Sequence, residues 1–288
     1  MYRSTFGTDI FVVGAGPAGL AAAIACRQAG FDVTVADCAT PPIDKACGEG
    51  IMPDGLAHLM RLGISLGPTV VARFEGIRFV DAGGQAQARF AYGSGIGIRR
   101  TILHQLLVNR ADELGVMLHW GARVSNISGN EVTINGQRIR SRWLVCADGQ
   151  NSRLRTLAGL SRFAGQRRQR FGFRRHYRVE PWSKFVEVHW GDLGQMYVTP
   201  IASDHVCVAL ITRITGLRFD QALPLFPRLA DRLRNCETVT RTAGALTVTR
   251  RLKAVQQNHV ALVGEASGSV DATSCETNCE RLTGSLRS

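Results

Sequence analysis

The stretch Ile10-Phe-Val-Val-Gly14-Ala-Gly16-Pro-Ala-Gly19 decides the fold of this chain. Its first four residues form a short apolar run bounded by glycine, the pattern of a buried parallel strand. Pro17 to Ala29 follows, rich in alanine, and Gly30 stands where a helix would stop. Phe31-Asp-Val-Thr-Val35 is β-branched and reads as a second strand, which completes one βαβ crossover unit. The glycines have separate tasks. Gly14 permits the tight turn, Gly16 lets backbone N–H groups approach a pyrophosphate, and Gly19 lets the helix pack on the strand. Phosphates would meet the positive end of the helix where Pro17 and Ala18 begin it. Asp37 lies 23 positions after Gly14, at the end of the second strand, placed to accept hydrogen bonds from a ribose. The spacing predicts a dinucleotide site.

Composition sets the outer bounds. The 288 residues allow one large domain or two modest ones. Hydrophobic residues at 45% and charged residues at 20% exclude a disordered chain. No apolar run reaches the roughly 18 residues of a membrane-spanning helix, and residues 1–9 lack the parts of a signal peptide. A cytoplasmic protein is expected. The eight cysteines are scattered, and a chain of this length needs no disulfide framework. Cys275 and Cys279, the close pair, lack the partners of a zinc site, so no metal is expected. The formal charge of +12 is nearly all arginine, and seven arginines fall between Arg162 and Arg178. Such an excess attracts polyanions. No nucleic-acid motif accompanies it, which leaves a solvated basic face with phosphate contacts, or peripheral contact with an anionic membrane.

Along the chain, short helices are expected at Pro53–Leu62 and Thr101–Leu114, each closed by a glycine. Strands are expected at 70–80, 87–92, 116–120 and 142–147, with a hairpin around Asn135-Gly136. Closely spaced strand patterns at 171–179, 185–190, 196–201 and 205–212 suggest an antiparallel sheet. A helix is expected from Asp220 to about Leu233, and a last strand at 259–263. The chain therefore divides into a nucleotide-binding part at 1–160 (with inserted strands around 70–92), a mostly antiparallel part at 161–255, and a return to the first part at 256–288.

Three further segments carry a resemblance: Arg100-Thr-Ile-Leu103, Ala147-Asp148-Gly149-Gln-Asn-Ser152-Arg-Leu-Arg155, and Val260-Ala-Leu-Val-Gly264-Glu265. With the glycine turn they resemble, in order, motifs of the FAD-dependent oxidoreductase superfamily that includes p-hydroxybenzoate-type monooxygenases, geranylgeranyl reductases and flavin halogenases. The resemblance implies an α/β fold, an FAD-linked glutathione-reductase-type Rossmann-like domain with an inserted, mostly antiparallel β substrate domain. It places Arg100, or Arg99 in its stead, at the FAD phosphates. Asp148 and Gly149 would lie near the pyrophosphate, and Gly264 and Glu265 at the ribityl chain. It also implies NAD(P)H as electron donor.

Lys45-Ala-Cys47-Gly48-Glu49-Gly50 resembles a loop near the flavin in geranylgeranyl-reductase-like members. Cys47 is either a thiol poised beside the cofactor, with Lys45 favouring its thiolate, or an incidental cysteine in a glycine-rich loop. His176 is a candidate acid or base on a strand facing the substrate, the alternative being a structural imidazole. Trp182, Trp190 and Tyr197 would shape an apolar cavity or simply fill core. The Trp-x-Trp-x-Ile-Pro signature of tryptophan-type halogenases is missing. Position 265 is Glu where the family has Asp, and residues 271–288 lack the apolar periodicity of the family's next helix, which suggests a truncated or altered C-terminus. The expected function is an FAD-dependent oxidoreductase acting on an apolar small molecule or lipid-like substrate, its flavin reduced by NAD(P)H or another donor. An aromatic-type monooxygenase is the alternative within the superfamily, and a non-catalytic or defective flavin-binding remnant the alternative outside it.

Overall fold

A computed structural model describes residues 7–67, 70–163 and 168–269. Strand β1 (Thr8–Val13) is buried almost throughout and turns at Gly14 into α1 (Pro17–Gln28), which opens on a proline. That helix buries Gly19 and Leu20 to Ile24, stops near Gly30 at a φ of +92°, and leads to β2 (Val33–Ala36). The crossover unit is as expected, with β1 and β2 parallel.

The next segment supplies β3 (Gly50–Ile51), α2 (Pro53–Arg61), β4 (Ala72–Phe74), β5 (Gly76–Val80), β6 (Gln85–Arg89), β7 (Gly95–Gly97) and α3 (Arg100–Glu113). Then come β8 (Met117–His119), β9 (Val124–Ser128), β10 (Glu131–Ile134), β11 (Gln137–Cys146) and α4 (Arg153–Leu157). Asn135 and Gly136 both adopt positive φ, the requirement of a two-residue hairpin turn, and join β10 to β11. β11 serves two pairings in turn: its first half pairs antiparallel with β10, its second half parallel with β1 on one side and β19 on the other.

The remaining strands are β12 (Arg168–Arg178), β13 (Val186–Gly191), β14 (Gly194–Ala202), β15 (His205–Thr212), β16 (Glu237–Thr238), β17 (Ala243–Arg251), β18 (Gln256–Gln257), β19 (Val260–Leu262) and β20 (Gly268–Ser269). Among the described residues they assemble two large sheets and a small one. The first runs β18-β19-β11-β1-β2-β8, with β19, β11, β1, β2 and β8 mutually parallel and β9 and β10 attached through β11. The second runs β20-β17-β12-β15-β14-β13-β5-β6 and is antiparallel except where β5 meets β13. The small sheet, β3-β7-β4, lies between them in the chain's contacts: a side chain on Gly97 would strike the Pro200 carbonyl of β14.

One core cluster packs α1 and α3 on the first sheet, a second fills that sheet's other face, and a third lies between the antiparallel sheet and the helices after residue 218. Those helices correct one expectation. The helix expected over 220–233 is broken into α5 (Phe219–Ala222), a 3-10 turn at Leu223–Leu225 and α6 (Pro227–Leu233). Pro224 and Pro227 each lack the N–H that would continue a helix. A second correction is β17, nine residues that the sequence pattern does not single out. The cysteine pair at 275 and 279 and the altered C-terminus expected at 271–288 lie outside the described residues. No helix among the described residues is long and apolar enough to cross a membrane.

Candidate functional site

Three turns from distant parts of the sequence meet where the parallel strands end. They follow β1, β11 and β19, the location at which open α/β sheets bind ligands. In the first turn the three glycines divide their work. A Cβ on Gly14 would lie 2.3 Å from the Ala147 carbonyl oxygen, and one on Gly19 only 1.8 Å from that of Gly14. A Cβ on Gly16 would meet nothing within 4 Å. The outer glycines are packing requirements, and the middle one faces open space. No side chain caps the start of α1, and its first turn holds no acidic residue, so its N–H groups remain for an anion. Asp37 braces the turn from β2: one carboxylate oxygen accepts from the Ala15 N–H at 2.7 Å, the other from Ala39 at 2.8 Å.

The second turn carries Asp148 and Gly149, the latter at a φ of +83°. One oxygen of Asp148 accepts weakly from the Leu154 N–H at 3.4 Å. The other is buried and has no partner among the described residues. Ser152 caps α4 through the Arg155 N–H, and the buried Arg155 guanidinium donates to the carbonyls of Ala266 and Gln150. That arginine ties the second turn to the third. There Gly264 takes a φ of +59°, and a Cβ on it would lie 2.6 Å from that of Ala18, so the third turn rests directly on α1.

α3 closes the site from one side. Arg99 and Arg100 stand at its start, each with a buried Nε that lacks a partner among the described residues. One turn further, His104 is fully buried. Its Nε2 faces the Ala15 carbonyl at 2.8 Å and its Nδ1 faces the Ile43 N–H at 3.3 Å. A carbonyl only accepts and an amide N–H only donates, so the ring is neutral with its proton on Nε2. Burial pushes its pKa down, in agreement.

The loop from Ile43 to Gly50 passes between α3 and the antiparallel sheet. Asp44 accepts both of its bonds from one nitrogen of Arg174 on β12, at 2.7 and 2.8 Å. Lys45 pairs with Glu265 of the third turn, so its ammonium is committed to a carboxylate rather than standing free beside Cys47. Cys47 is half-buried, accepts from the Glu49 N–H at 3.4 Å, and receives the Cys207 thiol of β15 on its carbonyl at 3.6 Å. Burial pushes the Cys207 thiol well up, and the Glu49 carboxylate adds to this. Glu49 itself is buried at a φ of +59°, a left-handed conformation uncommon outside glycine and asparagine. Its Oε1 accepts from the Arg100 N–H at 3.0 Å, and its Oε2 lies 2.7 Å from Nε2 of His176.

His176 is wholly buried, and both ring nitrogens are engaged by protein atoms. Glu49, His176 and Cys207 bring a carboxylate, an imidazole and a thiol within 4.8 Å of one another, a donor set that could hold a metal ion. Arg174 lies against the ring and Thr240 addresses its other nitrogen, however, and hydrogen bonding alone accounts for the cluster. Glu49, His104, Asp44, Arg174 and Cys207 are residues that the sequence reading did not select. His104 was detectable as a polar interruption in the stripe Leu103, Leu107, Val108, Ala111. Trp182 and Trp190 line separate hollows, of about 560 and 340 Å³, and Trp182 donates to Glu187. Of the crowded arginines, Arg174, Arg175 and Arg178 are spent on Asp44, Asp220 and Glu237.

The model of the FAD binding domain family matches residues 7–199. The chain belongs to that family. The matched span contains the glycine turn, the Cys47 loop, α3 and Asp148. Among curated proteins, the chain is 35% identical over 159 residues to menaquinone reductase of Mycobacterium tuberculosis, a match covering 51% of this chain and 38% of that one. It is 32% identical over 162 residues to digeranylgeranylglycerophospholipid reductase 2 of Methanopyrus kandleri, covering 53% and 40%. The match thus spans well under half the length of these relatives. Among solved structures, CmlS, a flavin-dependent halogenase, superposes with a TM-score of 0.84 at 17% identity, covering 98% of this chain and 58% of that one, which shows a shared fold. The site suits the cofactor of the family: an uncapped helix start, open space ahead of Gly16, and orphaned polar atoms on Asp148, Arg99 and Arg100 are what an FAD-binding chain would present to its ligand.

Proposed function

We propose that the chain is the cofactor-bearing part of an FAD-dependent oxidoreductase that acts on an apolar or lipid-like substrate, with electrons from NAD(P)H or another donor. The observation that carries this reading is the Cys47 loop, held between the nucleotide turns and the antiparallel sheet by Asp44, Lys45 and Glu49. A half-buried thiol is thereby kept at the seam where a cofactor and a substrate would meet. Relatives named for menaquinone and for a digeranylgeranylglycerophospholipid favour a reductase of an apolar molecule over a hydroxylase. We also propose that the fold is of the FAD-linked glutathione-reductase type, with the antiparallel part as the substrate domain.

FAD, when bound, supplies the redox chemistry, and the protein supplies position, electrostatics and exclusion of water. The start of α1 and the N–H groups around Gly16 would hold the pyrophosphate. Asp37, already fixed by Ala15 and Ala39, retains lone pairs for a ribose. Asp148 would use its orphaned oxygen, Arg100 or Arg99 would face phosphate, and Gly264 and Glu265 would line the ribityl chain. The test begins with the visible spectrum of the purified chain and the mass of any released chromophore. Stoichiometric FAD, bleached by NADH or NADPH without oxygen and recoloured by a quinone or polyprenyl acceptor, is the expected result. Oxygen uptake yielding a hydroxylated product would replace the reductase reading with a monooxygenase. A colourless chain that fails to take up FAD would leave a remnant.

A further inference from the structure

The Glu49–His176 contact ties the Cys47 loop to β12 through a buried carboxylate and imidazole. Its proton can be placed. Arg174 Nη1 lies 3.1 Å from Nδ1 and 3.4 Å from Nε2 of His176, so the guanidinium sits against the ring and on neither nitrogen's in-plane lone pair. The Glu49 carboxylate only accepts, so Nε2 carries a proton; the guanidinium against the buried ring disfavours a second one, and Nδ1 keeps a lone pair that Thr240 Oγ1, 2.9 Å away, can address as a donor. The proton sits on Nε2 and is donated to Glu49 at 2.7 Å. Glu49 receives a second N–H from Arg100 at the start of α3, where the helix end favours negative charge. Asp44 neutralises Arg174 on its far side. Arg99 on α3 and the Cys207 thiol on β15 are the remaining titratable groups facing the pair.

We propose that Glu49 is a positioning residue: as a carboxylate accepting from Arg100 and from a neutral His176, it fixes the Cys47 loop and the start of α3 in register with β12. Glu49 accepts from α3 at one oxygen and from β12 at the other, so the loop has one hydrogen-bonded seat. The inference goes beyond the cofactor reading and does not require it.

Glu49→Ala removes the seat, and Glu49→Gln keeps its shape. With its carbonyl toward the Arg100 N–H, the Gln amide turns its NH2 to Nε2, and the ring can answer by moving its proton to Nδ1, where the Thr240 hydroxyl accepts it. Two readouts on the full chain follow. Imidazole nitrogen NMR of the parent protein should show His176 in the Nε2–H form at neutral pH. Iodoacetamide labelling, mapped by peptide mass, should show Cys47 alkylated about tenfold faster in Glu49→Ala, equivalent to roughly 1.4 kcal/mol of lost seating, and close to the parent rate in Glu49→Gln. A charged or Nδ1–H His176 in the parent overturns the proposal, as does an unchanged Cys47 rate in Glu49→Ala. A Glu49→Gln chain that fails to fold, or whose Cys47 labels as fast as in Glu49→Ala, overturns it too. A chain that binds no FAD would remove the cofactor reading and leave both readouts intact.

Discussion

At the scale of the residue, the glycine turn separates folding from binding. Gly16 takes a φ of −67°, open to any side chain, and has no neighbour within 4 Å. Gly16→Val should therefore melt with the parent chain while losing FAD, because the branched side chain fills the space ahead of the helix start. A yellow Gly16→Val protein would remove the cofactor from this turn. Gly19→Val should instead fail to fold, with its Cβ placed 1.8 Å from the Gly14 carbonyl. The glycines were legible because their tasks are local and their spacing is short. Glu49 and His104 were not, since their partners stand 51 and 89 positions away and no local pattern announces them. Asp37 was legible as a site residue, but not as the brace of Ala15.

Elements were read well wherever periodicity and punctuation agreed. Asn135-Gly136 gave the hairpin, and Gly30, Gly63 and Gly115 gave three helix ends, all at positive φ. The helix expected at 220–233 failed because two prolines outweighed a good apolar stripe. β17 was missed because Ala243-Gly-Ala245 is a weak strand opening. Its place is set by β12, with which it pairs from Arg168 to Arg174. Such a strand owes its conformation to a partner far along the chain. The turn at Gly264 makes a prediction at this scale. Gly264→Ala combines a left-handed φ with a Cβ 2.6 Å from that of Ala18, so it should destabilise the chain by about 1–3 kcal/mol, read as a lower denaturant midpoint with an unchanged slope. An unchanged midpoint would mean that the third turn does not press on α1.

For the whole molecule, the buried histidines set a pH dependence. Burial holds both His104 and His176 below their ordinary pKa, so the folded chain keeps them neutral where the unfolded chain takes up protons. Their contribution is full above about pH 6.5 and is lost as the pH falls below it. Glu187 adds a loss of the same sign at more acid pH. Burial alone would raise its pKa, but bonds from His189 and Trp182 hold it below the ordinary carboxylate range. The melting temperature should fall from pH 7.5 to pH 5.5, and a flat profile would contradict the neutral assignments.

The two large sheets were foreseeable as sheets. The place of β5 was not, because nothing in residues 76–80 says that they will lie beside β13 rather than in the parallel sheet. That crossing makes the chain a candidate for fragment complementation. Severed after Leu160, the first piece would carry β5 and β6 without β13, and the second would carry β19 without β11. Each piece holds strands whose template is on the other, so the two should be insoluble alone and should assemble into a single cooperative unit when co-expressed.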